Sequence, residues 1–222
     1  MKKDTNGSIV PLLIVAVIVI IGAVGFFVLR NDKANQDNSQ STNTSEQSSA
    51  EATKSETEKK FETYVGEDYD RYYMAMMIGH HQGAIDMAEL AQTKAKHTEL
   101  KDAADDIISS QTKEINDMIA WQKAWGFPAS TGEMMEDHSA MGMEMENTTM
   151  MSELNNASGD GFDKKFLELM IEHHESAVAM SRPANKNALH AEIKTLANAI
   201  IQAQESEITQ MKEWLVEWGY ES

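Results

Sequence analysis

The sequence predicts an all-α protein, an antiparallel four-helix bundle made of two duplicated helical hairpins with a transmembrane helix at its N-terminus. Three observations support this prediction. Residues 9–29 form an apolar run without a charge, an ungapped internal repeat has a period of 93 residues, and both copies of the repeat show apolar residues at helical spacing. Strand-like alternation of comparable length is absent from the sequence.

The N-terminal segment, residues 1–30, is predicted to anchor the chain in a membrane. Its apolar run at 9–29 is close to the ~20 residues that cross a bilayer core of ~30 Å. A cleaved signal peptide is the alternative, but the run is long for one and no convincing small-x-small cleavage site precedes Arg30. Basic residues flank both ends of the run, so charge does not fix the orientation. We expect a single-pass cell-membrane protein whose C-terminal domain is extracytoplasmic.

Residues 31–60 are predicted to be a disordered polar linker. They contain no aromatic residue and no aliphatic residue larger than alanine, so they bury too little apolar surface to offset the entropy of ordering the chain. The folded domain is therefore expected to span residues 61–222.

Composition limits the classes of function. The chain of 222 residues has a formal net charge of −17, which argues against a general nucleic-acid binder because such proteins neutralise phosphates with a basic surface. The same charge attracts cations. No cysteine is present, so disulfides and thiolate metal sites are excluded.

The internal repeat aligns Met74–Gly126 with Leu167–Gly219, and 21 of the 53 aligned pairs are identical. Each copy contains two segments of helical periodicity, which predicts two hairpins and hence a four-helix bundle. The predicted helices span about 68–95, 98–125, 160–182 and 187–218. Gly126 and Gly219 are expected at left-handed C-caps, and Pro183 is expected to end the third helix early.

Each copy places two consecutive histidines and two methionines on the helix face that a bundle must bury. The candidate ligands are Met77, His80, His81 and Met87 in the first copy, and Met170, His173, His174 and Met180 in the second. If each hairpin turns near residues 96 and 189, Gln111 lies opposite His81 and Gln204 lies opposite His174. Four imidazoles, two carboxamides and several thioethers would then meet inside the bundle.

These residue types favour a copper site. Burying four imidazoles is costly unless something binds them, because an unpaired buried polar group costs about 1–3 kcal/mol. Imidazole together with thioether suits copper, and thioether favours Cu(I), with Ag(I) as a similar soft ion. The competing interpretation is that the methionines fill core gaps and the histidines are structural.

A methionine-rich segment between the two copies gives a second candidate site. Met134 to Met151 contains seven methionines and one histidine in 18 residues, with no other apolar side chain larger than alanine. Its small and polar residues predict a flexible loop, residues 128–157, that could wrap an ion. The candidate ligands are His138, Met141, Met143 and Met145. The alternative is an adaptable methionine surface without a metal.

The paired motifs MMIGHHQGAIDMA, residues 76–88, and LMIEHHESAVAMS, residues 169–181, resemble the family called domain of unknown function 305. The resemblance covers Phe61 to about Tyr220. It implies a ferritin-like four-helix fold, and some exported bacterial relatives bind copper. It also implies that the methionines and histidines of the two motifs bind the metal, in a protein for copper handling or tolerance rather than a known reaction.

The predicted function is an exported, membrane-anchored protein that binds copper for sequestration, buffering or tolerance. Its expected partners are the membrane and the metal ion, without nucleic acid, and the sequence leaves open a homo-oligomer or a metal-transfer partner. Two other classes remain as alternatives. One is an envelope interaction module with structural histidines. The other is a ferritin-like di-metal oxidase, which needs Glu-x-x-His motifs that the sequence lacks, so no enzyme is predicted.

Overall fold

A computed structural model describes residues 54–127 and 139–220. These residues form seven helices: α1 (Glu56–Glu62), α2 (Glu67–Lys94), α3 (Thr98–Trp125), α4 (Ser139–Asn156), α5 (Asp160–Ser181), α6 (Ala184–Asn187) and α7 (Ala191–Glu217). The all-α prediction is confirmed. The predicted membrane anchor, residues 1–30, lies outside the described residues. Among those that are described, no helix is both long and apolar enough to span a bilayer.

Four long helices carry the fold. Helix α2 packs along α3, α5 packs along α7, and α2 and α5 contact each other between the two pairs. Because only residues 95–97 separate α2 from α3, these two helices run in opposite directions. The two copies of the sequence repeat therefore correspond to two helical pairs that meet through α2 and α5.

The predicted helix ends at glycine and proline are observed. Gly126 follows α3 with φ of 72°, in the left-handed conformation, and the amide of Phe127 donates to the carbonyl of Gln122 at 2.8 Å. Helix α5 ends at Ser181, just before Pro183, whereas the equivalent α2 continues to Lys94. Proline lacks an amide hydrogen and its ring obstructs the preceding turn, which explains the earlier end.

The predicted boundary of the linker at residue 60 is wrong, because α1 begins at Glu56. The Ser55 hydroxyl caps this helix by accepting from the amide of Glu58 at 3.1 Å. Phe61 is 3% exposed, and its ring centre lies 4.9 Å from that of Tyr72 on α2. One aromatic residue at the end of a polar segment therefore docks the preceding turns on α2.

The predicted loop at 128–157 is corrected as well, because α4 occupies Ser139–Asn156. Met150 and Leu154 are 5% and 0% exposed, so these apolar side chains fix the helix against the core. The Lys94 ammonium donates to the carbonyls of Leu154 and Asn155 at 3.1 and 2.8 Å, which satisfies acceptors at the end of α4. Methionine favours helices, and this preference outweighs the turn-forming residues of the segment.

Candidate metal centre

The centre of the molecule is the contact between His80 on α2 and His173 on α5. Their ring centres lie 3.6 Å apart with an angle of 39° between the planes. The two residues are 4% and 3% exposed. Both side chains are thus buried, as their position on the predicted buried face of each helix indicates.

The second histidine of each pair is more deeply buried and has a carboxylate partner. His81 and His174 are both 0% exposed. Nε2 of His81 lies 2.6 Å from Oε2 of Glu114 on α3, and Nε2 of His174 lies 2.6 Å from Oε2 of Glu207 on α7. Each helical pair therefore carries one buried imidazole that is hydrogen-bonded to a glutamate of the neighbouring helix.

Several polar atoms of this region are buried without a hydrogen-bond partner. They are Nδ1 of His80, His81 and His174, both ring nitrogens of His173, and Oε1 of Gln111 and Gln204. Buried polar atoms in folded proteins are normally paired, and each unpaired one costs about 1–3 kcal/mol. Several unpaired ring nitrogens in one region are expected of an imidazole metal site when no ion is bound.

Electrostatics keeps the central pair neutral. Burial lowers the pKa of His80 well below 6.5, and the neighbouring imidazoles of His173, His81 and His174 lower this pKa further. Burial likewise lowers the pKa of His173, with His174 and His81 as the next causes. Neutral imidazole is the form that binds a metal, so the protein holds these two side chains in the ligating state at neutral pH.

The four candidate methionines of the motifs are also buried. Met77 and Met170 are 0% exposed, and Met87 and Met180 are 1% exposed. Met77 and Met180 belong to one apolar cluster, whereas Met87 and Met170 belong to a second one. The structure thus divides the thioethers into two sets, each containing one methionine from either copy of the repeat.

Among the four candidate ligands of the methionine-rich segment, the structure describes the side chain of Met145 alone. His138 lies outside the described residues, and Met141 and Met143 lie on α4, whose described side chains begin further along the helix. Met145 is 71% exposed, so its thioether faces solvent. Met150, by contrast, is buried in the core, where it serves packing.

The predicted pairing across the hairpins is off by three residues. Gln111 and Gln204 are buried at 2% and 3% exposure, but the side chain that contacts His81 is Glu114, almost one turn further along α3. Side chains lean toward the N-terminus of their own helix. In an antiparallel pair, His81 therefore leans away from the turn and Glu114 leans toward it, which explains the offset. The identity of Glu114 and Glu207 in the repeat was a usable signal.

Two further polar clusters, which the sequence analysis missed, join the halves at opposite ends. Oδ1 and Oδ2 of Asp70 on α2 accept from the amides of Leu189 and His190, at 3.1 and 3.0 Å. Nδ1 of His190 lies 2.6 Å from the same carboxylate, and its ring stacks on Trp125 at 3.7 Å. We call this set of contacts an end latch.

The second end latch is equivalent by the repeat. Asp163 on α5 accepts from the amides of Lys96 and His97, at 2.9 and 3.0 Å. Nδ1 of His97 lies 2.6 Å from Asp163, and its ring stacks on Trp218 at 3.9 Å. Asp70 and Asp163 are 93 residues apart and lie just before the aligned repeat, so extending the alignment by four residues would have revealed them.

Nitrogen and oxygen donors alone do not complete a metal site in the part of the chain that the structure describes. No three side chains among histidine, cysteine, aspartate and glutamate are grouped around one point there. The buried histidines fit a soft ion instead, because such an ion takes thioether sulfur and accepts few nitrogen ligands. The donor set therefore favours a mixed imidazole and thioether site.

Comparisons with known proteins agree with this chemistry. The family model described as Domain of unknown function (DUF305) matches residues 28–121 and 70–215. The structure of CopM in the Cu(I)-bound form is 37% identical in sequence with a TM-score of 0.56, and the match covers 67% of this chain and 96% of that one. CopM structures in Cu(II)-bound and Ag-bound forms match with TM-scores of 0.57 and 0.54.

A crystal structure of a DUF305 protein from Streptomyces coelicolor is also similar. It is 29% identical with a TM-score of 0.60, and the match covers 68% of this chain and 93% of that one. No curated protein matches the chain significantly.

Proposed function

This chain belongs to the DUF305 family, and we propose that it is an exported, membrane-anchored protein that binds copper for sequestration, buffering or tolerance. The observation that carries this proposal is the buried group of four imidazoles with five unpartnered ring nitrogens between α2 and α5. A purely structural role would pair these nitrogens or replace them with apolar groups. A bound ion would use them.

The choice of copper rests on the donor types and on the similar structures. Imidazole and thioether together suit copper, and thioether favours the monovalent state. CopM, which shares the fold, has been solved with Cu(I), Cu(II) and Ag. We therefore propose Cu(I) as the cargo, with Ag(I) as a mimic. The proposed ligands are the motif residues Met77, His80, His81, Met87, Met170, His173, His174 and Met180.

The proposal includes an architecture and a place in the cell. Helices α2, α3, α5 and α7 would form a ferritin-like antiparallel four-helix bundle, held outside the cytoplasm by residues 1–30. An oxidising compartment suits thioether ligands, because methionine does not form disulfides. The ion is treated as cargo and not as a catalyst, so the proposed role includes no reaction.

An anaerobic titration of the purified full-length protein tests the proposal. Cu(I) would be added in competition with a chelator of known affinity, excess metal removed, and the retained copper quantified. We expect tight retention in the wild type and at least a tenfold loss of affinity in His80→Leu/His173→Leu. The matched control, His97→Gln/His190→Gln, removes two imidazoles of the end latches and should keep the affinity. Retention of iron with oxygen consumption would favour an oxidase, and retention of no metal an interaction module.

Membrane anchoring is tested separately. In cells, the full chain should sediment with membranes, and protease added outside the cytoplasmic membrane should release the helical domain by cutting between residues 31 and 53. A chain without residues 1–30, directed outside by an exchangeable export signal, should be found in the soluble fraction. A full chain that stays soluble would contradict the anchor and leave the copper proposal intact.

A further inference from the structure

We infer that Glu114 and Glu207 are positioning residues. Each holds its histidine, His81 or His174, in the tautomer whose Nδ1 lone pair is free to bind a metal in the interior of the protein. This inference deepens the proposed function and rests on it for the identity of the ion. Its geometric basis is independent of any metal. Each glutamate lies 2.6 Å from Nε2 of a histidine that is 0% exposed.

The hydrogen-bond chemistry fixes which nitrogen carries the proton. An ionised carboxylate only accepts hydrogen bonds, so the Nε2 atom that faces Glu114 must carry a hydrogen. In the neutral ring the other nitrogen then has a free lone pair. This is Nδ1, the atom of His81 that is buried without a partner. The same reasoning applies to His174 and Glu207.

The alternative tautomer would be costly on both nitrogens. A hydrogen on Nδ1 would be a buried donor without an acceptor, since Nδ1 of His81 has none. The Nε2 lone pair would then face the carboxylate of Glu114, where two acceptors oppose each other. The protein therefore selects one tautomer before any ion arrives.

The central histidines differ in this respect. Both ring nitrogens of His173 lack a partner, and so does Nδ1 of His80. His81 and His174, by contrast, each have a carboxylate partner at Nε2. The four imidazoles are therefore of two kinds. A glutamate fixes the tautomer of His81 and of His174, whereas the tautomers of His80 and His173 depend on the contact between these two rings and on the ion.

The glutamates also connect the buried rings to the surface. The side chains of Glu114 and Glu207 are 19% and 35% exposed, whereas the histidine side chains are fully buried. Carboxylate partners of this kind orient metal-binding histidines and raise their basicity in known metal sites, and removing them typically lowers metal affinity 10–100-fold.

The test uses the metal-free, full-length, ¹⁵N-labelled protein in detergent. Two-bond ¹H–¹⁵N correlation spectra report which ring nitrogen is protonated. We expect Nε2–H tautomers for His81 and His174 in the wild type, and mixed tautomers in Glu114→Gln/Glu207→Gln, because an amide can donate as well as accept. The same variant should bind Cu(I) 10–100-fold more weakly. The matched control, Glu99→Gln/Glu192→Gln, removes the same charges from exposed positions of α3 and α7 and should change neither result.

Wild-type rings that carry the proton on Nδ1 would overturn the inference, even if the variant failed to fold. So would a folded Glu114→Gln/Glu207→Gln variant with wild-type tautomers or with an affinity within threefold of the wild type. A third result would separate the two claims: the wild type has Nε2–H tautomers that become a mixture in the variant, but the wild type binds no copper. This result would uphold the positioning role and refute the proposed function.

Discussion

The two halves of the protein have the same buried polar residues and differ in the helices that pack over them. Both halves have the histidine pair, the glutamate partner and the end latch, at positions 93 residues apart. Their cover is different. Helix α4 packs mainly on α2, whereas the shorter α1 contacts α5 and also places Phe61 against Tyr72 of α2. The residues that form and support the buried imidazole group are thus present in both halves.

Gly83 marks the clearest difference between the covers. It lies on α2 under α4, so close that a β-carbon at this position would collide with the side chain of Asn147. The equivalent residue on α5 is Ser176, which is half-buried. A side chain at this position has room in the second half, whereas in the first half it would require the Asn147 side chain to move.

The end latches should give the largest stability effects, and equal ones in the two halves. Asp70→Ala and Asp163→Ala each leave two part-buried amides and a histidine without their acceptor, so we expect each to lower the free energy of unfolding by about 3–5 kcal/mol. Urea denaturation of the two variants measures this. Asp117→Ala, which removes only an ion pair with Lys113 within one helix, should cost about 0.5 kcal/mol. A difference above 2 kcal/mol between the two latch variants would show that the halves are not equivalent.

The buried histidines of the two repeats were predicted from the sequence more accurately than the contacts between helices that surround them. The spacing of His80 and His81 was sufficient, because helical phase alone places both on the buried face. Glu114 was missed, because the lean of side chains in an antiparallel pair moves a contact almost one turn from the position that level pairing indicates. Helix α4 was missed because its docking depends on Met150 and Leu154 meeting a core formed by distant residues, which local turn preferences do not show.

The central pair should make the metal-free protein sensitive to acid. The pKa of His80 and of His173 is far below 6.5 in the folded protein, chiefly through burial, and about 6.5 in the unfolded chain. As the pH falls below 6.5, the unfolded chain binds protons that the folded protein does not, so stability decreases. Each histidine contributes up to about 1.4 kcal/mol per pH unit in this window and nothing well above it.

The variant His80→Leu/His173→Leu removes this dependence of stability on pH, together with several unpaired ring nitrogens. At pH 7.5 we expect it to be more stable than the metal-free wild type by about 1–3 kcal/mol. The gap should widen by about 2–3 kcal/mol at pH 5.5, with each single variant giving about half of the widening. Chemical denaturation at both pH values measures the gap. A constant gap would mean that the central rings bind protons in the fold over the same pH range as in the unfolded chain.

A substitution at the contact between α4 and α2 should change the stability by a smaller amount, and a second substitution should reverse this change. Gly83→Ala gains up to about 1 kcal/mol of helix propensity but collides with Asn147, so we expect no net gain or a loss of about 1 kcal/mol. Adding Asn147→Ala relieves the collision, and the double variant should be more stable than Asn147→Ala alone by about 1 kcal/mol. Ser176→Ala in the other half is the control and should gain a few tenths of a kcal/mol. A double-mutant cycle without coupling would show that α4 does not approach α2 at this position.

Three methionine substitutions on α4 should have the smallest effect on the fold. Replacing Met141, Met143 and Met145 with leucine preserves volume and should change the free energy of unfolding by less than about 0.5 kcal/mol. We propose that these residues, with His138, form a weaker, faster-exchanging Cu(I) or Ag(I) site that captures the ion. Thioethers do not titrate, so this site should still bind Cu(I) at pH 5, and the variant should bind less Cu(I) than the wild type at that pH. Full capacity at pH 5 in the variant would refute the capture site.

A copper-edge anomalous difference map from crystals of the Cu(I)-loaded protein tests the buried copper centre most directly. We predict a peak between α2 and α5, within about 2.0–2.4 Å of nitrogen from the histidine group and of sulfur from Met77, Met87, Met170 or Met180. The same crystals of His80→Leu/His173→Leu should lack this peak. Copper peaks confined to surface side chains, with none among the four buried imidazoles, would contradict the account.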